Sequence, residues 1–589
     1  MIHVSGQHST SWLWGMLIHD PPKLATQARP SWRTALGILV CVRVLVACVM
    51  IISDCDEVYN YWEPLHLLSA STTPKAFETW EYAPQYAIRS WAYIALHAIV
   101  PGSLAHLPSY VSFYALRVVL AIASSFADAF LYERVAQFVH VRIARYMLVF
   151  LVVCAGMHSA SVALLPSSMV MYTTSVGMAY AMQPASMAAS RRTYRATAAF
   201  AFGALCSGWP YALVLAVPFV LEELCGAPLG RRLARGCSAA LLAALCVGVP
   251  TVLIDSLAYG QPTLVALQTI LYNVASRARG IGPELYGVEP TSYYFVALAL
   301  GFSVAAPMAL VSLPMLALAA RYLPSRVAGS AVQLGLRLAP LYLWLAVLFV
   351  QPHKEERFLY AAYPLVCFAA AVTLYLVRAF LESAYLRFTR SPYRASRTML
   401  FSAVTLVPLL AAAILGVLRT SALILYYRAP IDVMHALPNE AGTLCYAGEW
   451  HRFPSHFFVP PQVRVEFVES AFRGILPHHF RRGNASDPLW PWAAYTRTSP
   501  THVNDRNAHE PDRYVALSQC SWLVDTHAAD DTWEPLMCRP FVDNEASRLA
   551  AQTWPLPAKI RATVARALYV PGWDDSLVWR SYCLLRRRA

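Results

Sequence analysis

The stretch that decides the fold is residues 85–103, QYAIRSWAYIALHAIVPGS. It is apolar enough to cross a bilayer, yet it contains Arg89 and His97. If this stretch crosses the membrane, the arginine-rich loops after residues 133 and 185 lie on the non-cytosolic side, against the positive-inside rule. If it lies along the membrane surface as an amphipathic helix, those loops are cytosolic. We therefore predict a surface helix here.

If this stretch lies on the membrane surface, five arginine-bearing loops all fall on the cytosolic side, as the positive-inside rule requires. Their arginines are Arg142 and Arg145; Arg191, Arg192 and Arg195; Arg231, Arg232 and Arg235; Arg321 and Arg326; and Arg387, Arg390, Arg394 and Arg397. With a cytosolic N-terminus, residues 53–109, 258–292, 352–356 and 426–589 are then all predicted to face the lumen. The tail carries a glycosylation sequon, Asn484-Ala485-Ser486, which is usable only on that side.

The composition predicts a polytopic membrane protein. Of 589 residues, 57% are hydrophobic and 14% are charged, whereas soluble domains average about 25% charged. The net charge of +13 does not indicate nucleic-acid binding, because the arginines lie between apolar spans. Eleven spans are predicted, the first being an uncleaved anchor. They cover approximately residues 34–52, 110–133, 145–163, 167–185, 195–207, 210–222, 237–257, 293–320, 335–351, 357–380 and 399–424.

Three regions follow from this pattern: a cytosolic segment (1–33), an all-α membrane domain (34–425) and a luminal C-terminal domain (426–589). Residues 462–468, QVRVEFV, alternate apolar and polar side chains, which predicts a strand and hence a small α+β or β-rich domain. Four of the 13 cysteines lie in this tail and permit two disulfides, with the pairing left open. They are Cys445, Cys520, Cys538 and Cys583.

The first luminal loop is acidic where it leaves the membrane, at residues 54–64, DCDEVYNYWEP. Carboxylates accept hydrogen bonds from sugar hydroxyls, and the aromatic rings between them provide stacking faces. A sugar site is therefore one reading of this loop. A solvated acidic surface is another, and a cation held by Asp54 and Asp56 is a third.

A second luminal element, residues 353–358, HKEERF, is a short turn between two apolar spans. An ordinary polar turn does not need five ionisable residues, and such groups are costly at this depth unless paired or functional. Lys354 and Arg357 could bind a phosphate, with Glu355 or Glu356 holding the arginine. A third segment, residues 280–290, GIGPELYGVEP, has turn chemistry with two glutamates and Tyr286.

Together these elements predict displacement at the anomeric carbon of a lipid-phosphate-linked sugar. A carboxylate takes the proton of the acceptor hydroxyl, a step that contributes about 10²–10⁴-fold in rate. Cations stabilise the charge on the departing phosphate, and the chemistry needs no metal or cofactor in principle. The prediction requires the carboxylates near residue 56 and the turn near residue 355 to converge on one cavity.

Several motifs resemble the dolichyl-phosphate-mannose-dependent mannosyltransferases of glycosyltransferase family 22, from about residue 35 to the end. YNYWEP, GVEP and EWHRFPS point to the α-1,2-mannosyltransferases of asparagine-linked glycan assembly. The motifs are DCDEVYNYWEPLHLL (54–68), TWEYAPQYAIRSWAYIALHA (79–98), LPSSMVMYTT (165–174), GPELYGVEP (282–290), HKEERF (353–358) and GEWHRFPSHFF (448–458).

The resemblance implies a GT-C fold and an inverting transfer in the endoplasmic reticulum lumen. The donor would be dolichyl phosphate mannose, and the acceptor a dolichyl-diphosphate-linked oligomannose that receives its seventh and ninth mannose. It places the catalytic acid pair on Asp56, the base, and Glu57, with Asp54 as the competitor. The substrate-binding candidates are His353, Lys354, Glu355, Arg357, Tyr61, Trp62, Glu63, Tyr86, Arg89 and Tyr286. A sibling enzyme that acts on the glycosylphosphatidylinositol anchor or adds α-1,6-mannose, and a lipid or solute transporter, are the alternatives.

Overall fold

The computed structural model of the chain describes residues 29–69, 75–184, 189–224, 229–275, 280–327, 330–526 and 531–588. Most of the predicted cytosolic segment 1–33 therefore lies outside the described residues. Helices dominate up to residue 436, and the longer strands follow in the tail.

Six helices within the described residues are long and apolar enough to cross a membrane. A helix rises about 1.5 Å per residue, so about 20 residues match the hydrocarbon core. The six are Trp32–Val49, Ser109–Phe138, Leu229–Tyr259, Ala331–Val350, Glu356–Thr389 and Pro392–Tyr427.

The other predicted spans also coincide with helices, but these are shorter or broken. The break predicted around Gly208, Trp209 and Pro210 is present, because Gly208 has φ +66° and a 3-10 turn follows it. The count of eleven spans stays a prediction. The helical segments at these places are Val141–Val153, Ala155–Ala160, Pro166–Met182, Ala189–Cys206, Pro210–Ala216, Val217–Leu224, Tyr293–Phe302, Ala305–Leu310 and Ser312–Tyr322; Val265–Ala275 is a further short apolar helix.

The deciding stretch forms a helix, Trp91–Ser103, of 13 residues. At about 1.5 Å per residue it is roughly 20 Å long, too short for a hydrocarbon core of about 30 Å. Asp255, on a long apolar helix, accepts hydrogen bonds from Ser90 Oγ and the Ala92 N–H, both at 3.0 Å. The second bond satisfies one of the free N–H groups at the start of the short helix. Its length agrees with the predicted surface placement.

The arginine-rich loops gather in two clusters of ion pairs. Arg142 and Arg326 both lie 3.6 Å from Glu382. In the second cluster, Arg192 and Arg235 of two different loops pair with the same carboxylate, Glu223, and Arg235 lies 3.0 Å from it. Loops that the sequence assigns to one side of the membrane are therefore neighbours in space.

The tail contains most of the strands of the chain and two of its longer helices. The strands are β1 (Phe77–Glu78), β2 (Gly442–Tyr446), β3 (Val463–Phe467), β4 (His478–His479), β5 (Trp522–Asp525), β6 (Trp533–Val542) and β7 (Trp579–Arg587); the longer tail helices are Asn544–Gln552 and Leu556–Ala567. Five of the strands form a mixed sheet in the order β3-β2-β5-β7-β6. β2 pairs in parallel with β3 and β5, while β7 is antiparallel to β5 and β6. The disulfides join Cys445 to Cys520 and Cys538 to Cys583.

The tail packs directly against the first luminal loop, although the sequence predicts the tail as a separate domain. β1 of the loop pairs with β4 of the tail. Glu63, which is fully buried, accepts hydrogen bonds from the Phe77 and His456 N–H groups, from Ser455 Oγ at 2.8 Å and from His456 Nδ1 at 2.5 Å. Although burial raises its pKa, the His456 contacts hold the pKa of Glu63 at about 2. Glu63 therefore holds two parts of the chain together.

We expect Glu63→Ala to destabilise the protein by about 3–5 kcal/mol, because it leaves a buried polar cluster without its acceptor. The measurement is the unfolding midpoint in detergent. Glu469→Ala is the matched control, since Glu469 is 64% exposed and its ion pair is with an equally exposed arginine. Equal midpoints for the two variants would contradict the structural role of Glu63.

Candidate active site

A cavity of about 490 Å³ lies where four parts of the chain meet, with helix ends at residues 165–167, 207–211 and 344–348 completing its wall. The four parts are the first loop, the segment 269–286, the turn 351–358 and the tail between residues 450 and 507. Each of the four lies in, or directly beside, a region that the sequence assigns to the lumen. The two predicted motifs therefore converge on one cavity.

Arg357 connects these motifs. Its guanidinium lies 2.5 Å from Asp56 Oδ2 and 3.2 Å from Asp54 Oδ1, and it also contacts Glu355. Side-chain exposure is 10% for Arg357 and 35% for Asp56. A partly buried arginine among three carboxylates neutralises part of their charge and keeps its fork at a defined position.

The two aspartates differ in their electrostatics. Burial raises the pKa of Asp54 to about 7, and Arg357 offsets this only in part. Burial acts on Asp56 too, but Arg357 and Arg89 outweigh it and hold the pKa of Asp56 below its ordinary value. Asp56 is therefore ionised at neutral pH and lines the cavity, whereas Asp54 is not among the residues that line it.

The π-helical turn Val58–Trp62 sets which side chains face the cavity. Such turns are uncommon and occur frequently at functional sites. Tyr59, Asn60 and Tyr61 line the cavity, while Trp62 packs against Phe113 with ring centroids 4.3 Å apart.

Arg89 forms the second cationic group of the cavity. It donates to both oxygens of Glu81, at 3.0 and 2.7 Å, and to the Tyr61 hydroxyl at 2.8 Å. A doubly hydrogen-bonded guanidinium keeps its position without a ligand. The Tyr61 hydroxyl is thereby oriented beside the cavity.

His353 joins the cationic turn to the third luminal segment. One ring nitrogen lies 2.8 Å from the Gly287 carbonyl oxygen and the other 3.0 Å from Glu355. Burial lowers the pKa of His353, but the hydrogen bond to Glu355 outweighs it and raises the pKa above its ordinary value. Tyr286 of the same segment also lines the cavity and stacks near Trp80, at 6.4 Å.

Seven of the twelve predicted site residues line the cavity: Asp56, Tyr61, Arg89, Tyr286, His353, Glu355 and Arg357. Five do not, and each has another partner. Glu57 accepts from the Trp62 indole and the Leu164 N–H, both at 3.0 Å, and burial raises its pKa. Trp62 and Glu63 are buried in the core. Lys354 donates to the Glu289 carbonyl oxygen at 3.1 Å, and Tyr86 packs edge-on against Trp80.

Other lining residues were not singled out from the sequence. Glu81 lies eight positions before Arg89, and this short separation between opposite charges was the signal that could have indicated their pairing. Trp209 lies at the helix break, which the sequence did show. Trp450 and Phe472 come from the tail, and nothing local in the sequence indicates that they reach the first loop.

Asp54, Cys55 and Asp56 are the described residues whose grouping could hold a metal ion, with donor atoms within 4.8 Å of one another. Arg357 already lies between the two carboxylates. A divalent cation would have to displace this guanidinium. The arrangement therefore favours a carboxylate cluster held by Arg357 over a metal site.

Residues 34–460, from the first long apolar helix to the first part of the tail, match the Alg9-like mannosyltransferase family. The chain belongs to this family. It is therefore a mannosyltransferase, and the transporter alternative is wrong. The match includes the loop that carries Asp56 and the turn that carries Arg357.

Curated relatives agree over nearly the whole length. The chain is 35% identical to the alpha-1,2-mannosyltransferase ALG9 of Mus musculus over 590 residues, which cover 95% of this chain and 89% of the relative. It is 35% identical to alg9 of Schizosaccharomyces pombe, covering 90% and 92% of the two chains. For ALG9 of Saccharomyces cerevisiae the identity is 29%, with coverage of 91% and 94%.

Solved structures resemble this mannosyltransferase more distantly. ArnT from Cupriavidus metallidurans, bound to undecaprenyl phosphate, aligns with a TM-score of 0.48 at 13% identity, over 74% of this chain and 86% of that one. The oligosaccharyltransferase AglB from Archaeoglobus fulgidus aligns with a TM-score of 0.41 at 13% identity, over 73% and 64%.

Proposed function

We propose that this mannosyltransferase moves mannose from dolichyl phosphate mannose to a dolichyl-diphosphate-linked oligosaccharide in α-1,2 linkage. The acceptor receives its seventh and ninth mannose in the lumen of the endoplasmic reticulum, on an enzyme of GT-C fold. The relatives named alpha-1,2-mannosyltransferase ALG9 support the linkage. The observation that carries the proposal is the 2.5 Å contact between Asp56 and Arg357 in one cavity.

The donor lies with its phosphate beside Arg357 and His353. Trp209, Trp344 and Leu348 give the cavity an apolar wall that suits the start of a lipid chain. Arg357 is the stronger candidate because its planar fork matches two phosphate oxygens. Binding of that anion draws the guanidinium away from Asp56 and raises the basicity of the carboxylate.

The transfer is a single displacement at the anomeric carbon. The acceptor hydroxyl oxygen bonds to this carbon as the bond from the carbon to the phosphate oxygen breaks, so β-linked mannose becomes α-linked. Asp56 takes the hydroxyl proton. The bonding electrons leave with dolichyl phosphate, whose charge Arg357 and His353 stabilise.

The luminal orientation is tested at Asn484, which is exposed on the tail. We expect the protein to carry one glycan at this residue, because glycosylation acts on the luminal side. The measurement is the electrophoretic shift on enzymatic deglycosylation, with Asn484→Gln as the comparison. If deglycosylation does not change the mobility of the wild type, and the wild type migrates like Asn484→Gln, the proposed orientation of the tail is contradicted.

The proposed function is tested with purified enzyme, dolichyl phosphate mannose and two acceptors, a lipid-linked oligomannose and an anchor precursor. We expect mannose on the first acceptor only, in α-1,2 linkage, with and without EDTA. Transfer to the anchor precursor would favour the sibling function. Loss of activity in EDTA with recovery in Mn²⁺ would restore the metal reading of Asp54 and Asp56.

A further inference from the structure

Asp54 lines a second cavity, of about 760 Å³. The wall of this cavity comes from residues 51–54, from Arg419 and Tyr427 of the last long helix, and from the tail, including Phe541 and Arg580. Its volume lies in the range typical of ligand sites. Apart from Asp54, the proposed chemistry uses none of these residues.

Hydrogen-bond donors and acceptors are matched in number around the second cavity. Five arginines and five carboxyl groups line it within the described part of the chain. The set therefore offers many donors and many acceptors side by side. A hydroxyl both donates and accepts, so a neutral polyhydroxylated ligand fits this set best. The residues are Arg419, Arg452, Arg548, Arg566 and Arg580, with Asp54, Glu356, Glu449, Asp543 and Glu545.

Several of these groups are already held in position. Arg580 lies 2.6 Å from Asp543, and the Arg452 guanidinium lies 4.5 Å from the centre of the Phe541 ring. Paired side chains with fixed forks lose less freedom when they bind. Tyr427 and Phe541 add aromatic rings on which the apolar face of a sugar can pack.

The two cavities meet at one ion cluster. Asp56 lines the first, Asp54 lines the second, and Arg357 contacts both. A displacement needs its two substrates to approach one carbon from opposite sides. Because the first cavity has the apolar wall that suits a lipid-linked donor, the polar second cavity is left for the hydrophilic part of the acceptor.

We propose that the second cavity binds the neutral mannose oligosaccharide of the acceptor, with tail residues around Asp543 and Arg580 contacting its sugar hydroxyls. This inference rests on the proposed function and assigns the tail to acceptor recognition. The terminal mannose then reaches Asp56 past Asp54, at the boundary of the two cavities.

The test is Arg580→Ala in the full-length enzyme, with steady-state kinetics on the lipid-linked oligomannose. We expect the acceptor KM to rise roughly ten- to hundredfold, the effect of removing a hydrogen bond from a charged donor. The donor KM stays unchanged. Arg586→Ala is the matched control, because Arg586 lies on the same strand, pairs with Glu440 at 3.3 Å and is 49% exposed outside the cavity.

Three outcomes would contradict the proposal, and each identifies a different cause. If the wild type transfers mannose but Arg580→Ala has the kinetics of Arg586→Ala, the assignment of the cavity is wrong while the proposed function stands. If inorganic pyrophosphate competes with the acceptor in the wild type and not in Arg580→Ala, the cavity binds the diphosphate and not the glycan. If the wild type does not use this acceptor, the proposed function itself fails. Unfolding midpoints of both variants exclude a general loss of stability.

Discussion

Asp56→Asn is expected to lower kcat for mannosyl transfer by about 10²–10⁴-fold, the usual contribution of a positioned general base. The amide keeps the size of the side chain but accepts no proton. Binding of both substrates is retained, so the KM values change little. The measurement is steady-state transfer to the lipid-linked acceptor, with the unfolding midpoint as the check on folding.

Asp54→Asn is the matched control for this base assignment. Asp54 contacts the same guanidinium at 3.2 Å, but burial raises its pKa to about 7 and it lines the second cavity. We expect this variant to lose less activity than Asp56→Asn. The reverse order would move the base to Asp54, whose pKa near neutrality suits proton transfer.

Arg357→Ala is expected to raise the donor KM and to lower kcat by about 10²–10³-fold, as for the loss of a group that stabilises developing charge. The substitution also leaves three carboxylates without their shared cation, so the unfolding midpoint is measured beside the kinetics. Saturation with donor does not restore the wild-type rate, because the departing phosphate lacks its counter-charge.

Arg357→Lys tests whether the positive charge of Arg357 or the planar shape of its guanidinium matters more for the rate. Lysine keeps the positive charge but presents a point charge in place of a planar fork, so we expect partial recovery of kcat. Arg321→Ala, at an exposed arginine outside the cavity, is expected to behave as the wild type. Donor KM and kcat unchanged in Arg357→Ala would remove Arg357 from the donor site.

The sequence predicts where helices lie and which loops share a side, because both depend on patterns that repeat along the chain. Hydropathy locates the apolar segments, and arginine placement orders them around residues 85–103. These two patterns place the loop at Asp56 and the turn at Arg357 on the same side of the membrane. The chemistry predicted from their residues required them to meet, and the two side chains lie 2.5 Å apart.

The direction of individual side chains could not be predicted in the same way. Glu57 and Trp62 turn away from the cavity because a π-helical turn, whose spacing differs from that of an α-helix, occupies Val58–Trp62. Contacts from the tail were missed for a different reason. The Tyr59 hydroxyl donates to the Trp450 carbonyl oxygen at 2.7 Å, although 391 positions separate the two residues. No local sequence pattern indicates a contact between residues so far apart in the chain.

The link between Glu63 and His456 has a consequence for biosynthesis, because 393 positions separate the two residues. At a translation rate of about 5–20 residues per second, His456 is made roughly 20–80 s after Glu63. During this interval the acidic loop has no partner for its buried carboxylate. Maturation of the reaction centre therefore waits for nearly the whole polypeptide, and a chain truncated before residue 456 would insert its helices without completing that centre.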